Sequence, residues 1–282
     1  MDFNLTDPRA IRAALEQSGF HFSKARGQHF LTDPTVPERI ASYIDASMGV
    51  LEIGPGFGAL TKALCSRAGR VVSIEVDRRL TPILARNLAG CTNHALLEGD
   101  ARLLDLGAIT AEYLPGLAPV VAANLPYSIT SEILTKLIES RIFGSLVVMV
   151  QAEVARRLSA APGTKAYGSF TIFCRVHCEP EMLFDVPPGS FMPRPAVDST
   201  VIRLSRRQTP LVPDELLGLF FRVVRAAFSQ RRKTLKNALS AAFPPELATE
   251  AIGAAGASPL VRGETLGIAE FLNIAHELGK RL

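Results

Sequence analysis

Apolar residues in the first two thirds of the chain gather into short runs, with longer mixed stretches between them. Val50-Leu51-Glu52-Ile53, Val71-Val72-Ser73-Ile74, Ala95-Leu96-Leu97, Val120-Val121-Ala122-Ala123 and Leu146 to Val150 hold almost no polar side chains. Runs of this kind mark strands buried on both faces, as in a parallel sheet. Helices are predicted between and after them, over Ala59 to Ser66, up to Leu88, over Thr130 to Ser140 and over Ala152 to Leu158. Strands alternating with helices imply an open α/β sheet that binds ligands at the carboxyl ends of its strands.

The flanks read differently. Pro8 to Ser18 predicts a short polar helix, and Asp33-Pro34 an N-cap with proline at the first position of a helix reaching about Met48. Between them, Phe20 to Leu31 has no clear period and mixes basic with aromatic residues. That suits a segment lying over a ligand or RNA, and equally an arm packing its aromatics on the core. Further on, Tyr167 to Val176 is a strand candidate, Pro187 to Pro195 a stiff loop, and Thr200 to Leu204 the last strand. Gln208-Thr209-Pro210 marks a boundary beyond which the pattern is helical. The expected domains are therefore 1–206, an α/β sheet with an N-terminal arm, and 207–282, a small all-helical domain.

Composition sets limits on this picture. A chain of 282 residues with 48% hydrophobic content can bury a large core. It has no apolar run of membrane-spanning length, and Met1-Asp2-Phe3-Asn4 lacks the features of a secretory leader, so no membrane and a cytoplasmic location are expected. Cys65, Cys91, Cys174 and Cys178 are too scattered for a disulfide framework, and the Cys174–His177–Cys178 spacing does not suit zinc. No metal is expected. Residues 206–282 carry 11 Lys and Arg against 7 Asp and Glu, while the rest of the chain balances at 20 and 20. The surplus concentrates between Arg222 and Lys236, where Arg222, Arg225, Arg231, Arg232, Lys233 and Lys236 have no acid among them. Single-sign charge of this density points to phosphate binding, unless Ser229 caps a second helix and divides the stripe.

Candidate chemistry lies at the strand ends. Asn124-Leu125-Pro126-Tyr127 follows a buried run, and Pro126 biases Leu125 towards extended geometry. The Asn124 side-chain oxygen and the Leu125 carbonyl can then accept hydrogen bonds from one exocyclic amine, while Tyr127 offers a stacking face for the ring that bears it. The competing reading is a plain turn after a core strand. Gly54, Gly56 and Ala59 satisfy a loose G-x-G-x-x-G/A spacing, with Glu75 at the end of the second strand, where ribose hydroxyls are usually held. Asp100 at the third strand is placed for an adenine amine. An NAD oxidoreductase would leave Asn124 idle, whereas S-adenosyl-L-methionine with an amine-bearing base uses all four positions. Phe191 is apolar in a loop, either a core plug or a second wall for the cup.

Together these motifs resemble the ribosomal RNA adenine N6-dimethyltransferase family. The resemblance rests on Gly27-Gln28-His29-Phe30-Leu31, Glu52-Ile53-Gly54-Pro55-Gly56, Glu75-Val76-Asp77, Gly99-Asp100-Ala101, Asn124-Leu125-Pro126-Tyr127, Phe191-x-Pro193-x-Pro195-x-Val197-x-Ser199 and Gln230-Arg231-Arg232-Lys233. It implies a Rossmann-like methyltransferase sheet and a small helical RNA-binding domain. The implied activity is S-adenosylmethionine-dependent dimethylation of two adjacent adenosines in a hairpin loop near the 3′ end of small-subunit RNA. It further implies that His29, Leu31, Gly54, Gly56, Glu75, Asp100, Ala101 and Asn124 line the cofactor site, and that Phe191 is a second stacking face opposite Tyr127. Many relatives carry Asn where this chain has His29. The expected partner is small-subunit rRNA in the immature subunit, met by a monomer. A large-subunit enzyme of the antibiotic-resistance type and a non-catalytic assembly factor are the alternatives.

Overall fold

The structure is a computed structural model that describes residues 4–17, 28–230 and 232–282. The basic and aromatic stretch from Phe20 to Gly27, and Arg231, therefore lie outside the described residues. The chain begins with α1 (Pro8–Gln17), β1 (Phe30–Leu31) and α2 (Thr35–Ala41). α2 is shorter than expected and ends seven residues before Met48, the first residue of β2. Its start falls one residue later than read, with Pro34 at the N-cap position and Thr35 first in the helix, while Asp33 Oδ1 accepts from the Thr35 backbone N–H at 2.9 Å and from its hydroxyl at 2.7 Å.

The buried runs become strands. β2 (Met48–Ile53), α3 (Ala59–Cys65), β3 (Arg70–Glu75), α4 (Thr81–Asn87), β4 (His94–Glu98), α5 (Leu106–Tyr113), β5 (Ala118–Asn124), α6 (Thr130–Glu139) and β6 (Ser145–Gln151) alternate along the chain. α5 has no counterpart among the expected helices. Asp105 caps it, accepting from the Gly107 and Ala108 N–H groups. Then come α7 (Ala152–Ser159), α8 (Ser169–His177), β7 (Cys178–Val186), β8 (Phe191–Met192) and β9 (Ser199–Arg206).

The seven-stranded sheet has the order β4-β3-β2-β5-β6-β9-β7. β4, β3, β2, β5 and β6 are parallel, and β9 runs antiparallel to β6 with Val148 opposite Ile202. The chain winds outward from β2 through β3 to β4, then restarts on the other side with β5. The carboxyl ends of β2 and β5 therefore diverge into a crevice, the position where open α/β sheets bind ligands. Val50, Leu51, Val71, Val72, Val121, Ala122 and Val148 at the sheet centre are fully buried, as continuous apolar strands require. β1 and β8 form a separate two-stranded ribbon, pairing Leu31 with Phe191.

The chain divides into two compact units, one running to Ala155 and including Glu181–Arg206, the other made of Arg156–Pro180 and Arg207–Leu282. This differs from the expected 1–206 and 207–282 in that residues 156–180 join the second unit. The strand expected over Tyr167 to Val176 is also corrected, because Ser169–His177 is the helix α8. The Gly168 N–H donates to Thr171 Oγ1 at 3.1 Å, and that hydroxyl donates to the Arg157 carbonyl at 2.7 Å, which starts the helix. In the second unit α9 (Asp214–Ser229), α10 (Leu235–Leu239), α11 (Pro245–Ala254) and α12 (Ile268–Gly279) surround Tyr167, Phe220, Val224, Leu239, Phe271 and Ile274. The Tyr167 hydroxyl donates to the Leu266 carbonyl at 2.8 Å, so this buried phenol keeps its polar end satisfied.

Candidate functional site

A cavity of about 250 Å³ opens at the crevice. His29, Leu31, Gly54, Gly56, Glu75, Asp100, Ala101 and Asn124 all line it, as do Leu125 and Tyr127. Residues from four strand ends and the N-terminal ribbon thus meet in one place, although the chain separates them by up to about a hundred positions.

The glycine loop after β2 forms one wall. Gly56 has φ +59°, and a Cβ there would lie 2.9 Å from the Phe30 ring, so both backbone conformation and space require glycine. Its N–H points to Glu75 Oε2 at 3.4 Å, while the Asp77 N–H donates to Glu75 Oε1 at 2.8 Å. Burial raises the Glu75 pKa, and these two backbone donors act in the opposite direction. Beside it Asp77, 2% exposed, receives Arg79 Nη2 at 2.6 Å and Gln28 Nε2 at 3.3 Å.

Glu52, expected only as part of a motif, proves to be a wall of the same cavity. It is 1% exposed, and its Oε2 accepts from the Thr61 hydroxyl at 2.7 Å and the Ser73 hydroxyl at 2.6 Å. Because the Ser73 proton is committed there, Ser73 Oγ faces His94 Nε2, 3.0 Å away, as the acceptor. Glu52 Oε1 finds no hydrogen-bond partner among the described residues, and neither does Gln28 Oε1. Burial drives the Glu52 pKa up to about 7, with repulsion from Glu75 adding to the rise and the two hydroxyls opposing it. Nothing in the local pattern flagged it, since an acid within an apolar run reads equally as an exposed strand position.

Asp100 is bound more tightly than the sequence suggested. Arg102 Nη2 donates to its Oδ2 at 2.6 Å and Arg102 Nε to its Oδ1 at 3.0 Å, which holds the carboxyl below its usual range. Arg102 also reaches Glu132 at 3.2 Å. The local order Asp-Ala-Arg was the available signal for this pair, since a side chain two residues on can fold back on a turn carboxylate.

The cup after β5 is assembled from distant segments. Asn124 Nδ2 donates to the His29 carbonyl at 3.0 Å. The Leu125 N–H donates to the Met149 carbonyl at 3.1 Å, and the Thr130 hydroxyl donates to the Pro126 carbonyl at 3.0 Å, which fixes the turn. The Tyr127 hydroxyl meets Ser199 Oγ at 2.5 Å, and burial raises the phenol pKa. His29 stacks on Tyr127 with ring centroids 5.2 Å apart and planes 30° apart, and meets Phe191 edge-on at 6.4 Å. Phe191 is 4% exposed and packs with Leu31, Val36, Met149 and Val201, so the core-plug reading describes its packing.

The expected basic stripe is divided. α9 ends at Ser229, whose hydroxyl donates to the Ala226 carbonyl at 2.7 Å. Arg222 and Arg225 lie on α9, Arg232 and Lys233 in the turn that follows, and Lys236 on α10; all five are exposed. The Arg222 guanidinium lies over the Phe243 ring at 4.7 Å. No described helix is long and apolar enough to cross a membrane.

Similarity to known proteins follows the same lines. Residues 19–280 match the family described as Ribosomal RNA adenine dimethylase. Ribosomal RNA small subunit methyltransferase A of Geobacillus kaustophilus is 45% identical over 284 residues, covering 98% of this chain and 97% of the relative. A dimethyladenosine transferase from Plasmodium falciparum superposes with a TM-score of 0.75 at 28% identity, over 89% of this chain and 98% of that one. The 23S rRNA methyltransferase ErmE does so at 0.69 and 27%, over 89% and 99%. With the crevice, the acid-lined cavity and the Asn124 cup in place, this chain belongs to the ribosomal RNA adenine dimethylase family and is an S-adenosylmethionine-dependent rRNA adenine methyltransferase.

Proposed function

We propose that the protein dimethylates N6 of two adjacent adenosines in the 3′-terminal hairpin loop of small-subunit RNA. It acts in the cytoplasm as a monomer on the immature subunit and contributes to small-subunit biogenesis. The small-subunit target is supported by similarity: 45% identity to a relative named for that subunit, against 27% to the 23S enzyme.

The cavity residues fit S-adenosylmethionine. Glu52 and Glu75 flank the glycine loop, so carboxyl oxygens lie where a dinucleotide would need donors for its pyrophosphate; a cationic nucleoside, whose charge favours ionisation of these acids, suits them instead. Glu52 Oε1, buried without a partner among the described residues, is an acceptor for a cationic group, and Glu75 can accept from ribose hydroxyls. Gly54, Gly56, Leu31, Ala101 and the His29 backbone would shape the remaining wall, with Asp100, held ionised by Arg102, facing an adenine amine. When bound, the cofactor supplies an electrophilic methyl group on a sulfonium.

The observation that carries the chemistry is the tether on Asn124. Its Nδ2 is committed to the His29 carbonyl, so the opposite end of the planar amide, Oδ1, is the one offered to a substrate. Adenine N6 is a weak nucleophile because its lone pair is delocalised into the ring. Two acceptors on its hydrogens, Asn124 Oδ1 and the Leu125 carbonyl, favour a tetrahedral nitrogen and stabilise the positive charge as it develops. Tyr127 stacks on the base, and its bond to Ser199 prevents the ring from turning away. Phe191, packed in the core and edge-on to the His29 ring, backs the cup, and its service as a second stacking face is what the family resemblance implies. The target must be unstacked, as bases in RNA loops are. Arg222, Arg225, Arg231, Arg232, Lys233 and Lys236 would hold phosphates.

The test is methyl transfer from labelled S-adenosylmethionine to immature small subunits, naked small-subunit RNA and large-subunit RNA, with the modified positions mapped. N6,N6-dimethyladenosine at two neighbouring positions of the small-subunit RNA is expected. Transfer confined to large-subunit RNA refutes the assignment.

A further inference from the structure

An asparagine amide is nearly symmetric in shape, so only hydrogen bonds decide which end faces a ligand. In this protein one backbone atom decides it, the His29 carbonyl, 3.0 Å from Asn124 Nδ2. Residue 29 precedes the short ribbon strand β1, and its side chain is tied at three points. The imidazole stacks on Tyr127 at 5.2 Å, lies edge-on to Phe191 at 6.4 Å, and brings Nδ1 within 2.6 Å of the Pro193 carbonyl. A carbonyl can only accept, so Nδ1 carries the proton and donates.

We propose that the His29 side chain is a positioning residue: clamped between Tyr127 and Pro193, it holds its own carbonyl in place and so keeps Asn124 Oδ1 turned towards the target amine. This rests on the reading of Asn124 as an acceptor for adenine N6. Without the clamp the carbonyl loosens, and the amide can turn its NH2 towards the substrate, where donor would face donor. The clamp acts over a sequence separation of 95 residues to Asn124 and 164 to Pro193, so it couples the N-terminal ribbon to the reacting centre.

One hydrogen bond biases an amide between its two orientations by roughly two- to tenfold. His29→Ala should therefore lower turnover on immature small subunits by about three- to tenfold, with KM for the RNA within about twofold of the parent. His29→Asn, which keeps a donor, and His29→Phe, which keeps the stack, should each fall between parent and alanine variant, and they carry the test should His29→Ala not fold. The deciding measurement is a double-mutant cycle: in an Asn124→Ala background, His29→Ala should cost nothing further. A readout independent of activity is the Asn124 side-chain amide resonance, assigned by its disappearance in Asn124→Ala. Its protons should exchange with solvent about fivefold faster or more in His29→Ala, as expected for loss of one hydrogen bond. Additive losses in the cycle, unchanged amide exchange, or tighter RNA binding at parental turnover each overturn the proposal. Parental turnover in Asn124→Ala alone refutes instead the underlying reading of Asn124.

Discussion

Glu52→Gln should make the protein more resistant to unfolding at neutral and alkaline pH while leaving it almost unchanged in acid. Glu52 is fully enclosed, with Oε2 satisfied by Thr61 and Ser73 and Oε1 without a partner among the described residues, and burial raises its pKa from 4.5 to about 7. A carboxyl with a raised folded-state pKa retains a proton that the unfolded chain releases. Stability is then highest below about pH 4.5, declines as pH rises, and levels off above about pH 7. The full loss is about 3 kcal/mol, most of it falling between pH 5 and pH 8. Glutamine can place its oxygen on Thr61 and Ser73 and carries no charge, so it escapes this loss. The melting temperature of the variant relative to the parent should accordingly rise by roughly 5 to 10 °C between pH 5 and pH 8. Glu75, whose own pKa burial raises, is present in both proteins and largely cancels in the difference. Thermal melts at half-unit pH steps measure it directly. Parallel curves for parent and variant would show that the Glu52 pKa is not raised on folding, and the account of its burial would fail.

Asn124→Ala removes an acceptor used mainly as charge develops, so turnover should fall by about two to three powers of ten while RNA affinity measured by filter binding hardly moves. Gly56→Ala places a Cβ 2.9 Å from the Phe30 ring at φ +59°. It should destabilise the protein by about 2 kcal/mol in denaturant titrations and weaken S-adenosylmethionine binding about tenfold by calorimetry. Changing Arg232, Lys233 and Lys236 together to Ala should flatten the slope of log RNA affinity against log salt by about two units, with cofactor binding intact. An unaltered slope removes the turn after Ser229 from the RNA surface, and a loss of about one unit means that only part of it faces RNA.

The sequence alone determined the parts of this protein whose causes are local. A buried parallel strand needs an unbroken apolar run, so β2, β3, β5 and β6 were legible, the short run Ala95-Leu96-Leu97 marked the half-buried edge strand β4 as well, and the residues after them fell at ligand-facing strand ends because all five strands run the same way. The glycine loop was legible because positive φ at Gly56 leaves little choice of residue. Tertiary structure decided the rest. Tyr167 to Val176 is rich in aromatic and β-branched residues and reads as a strand by propensity, yet α8 forms because Tyr167, Ile172 and Val176 bury against α9 and α12 side chains such as Phe220 and Phe271. β7 mixes exposed and half-buried positions without regular alternation between two buried ends and was not recognised as a strand, since a sheet edge lacks a continuous apolar signal. The stripe between Arg222 and Lys236 looked continuous because no proline or glycine interrupts it, but the chain turns after Ser229 so that Leu235 and Leu239 can reach the same core as Val224. The same limit governs the site. Asn124, Glu75 and Asp100 were readable as acceptors from their positions, whereas the burial of Glu52 and the hold of His29 on Asn124 arise from contacts between chain segments that only folding brings together.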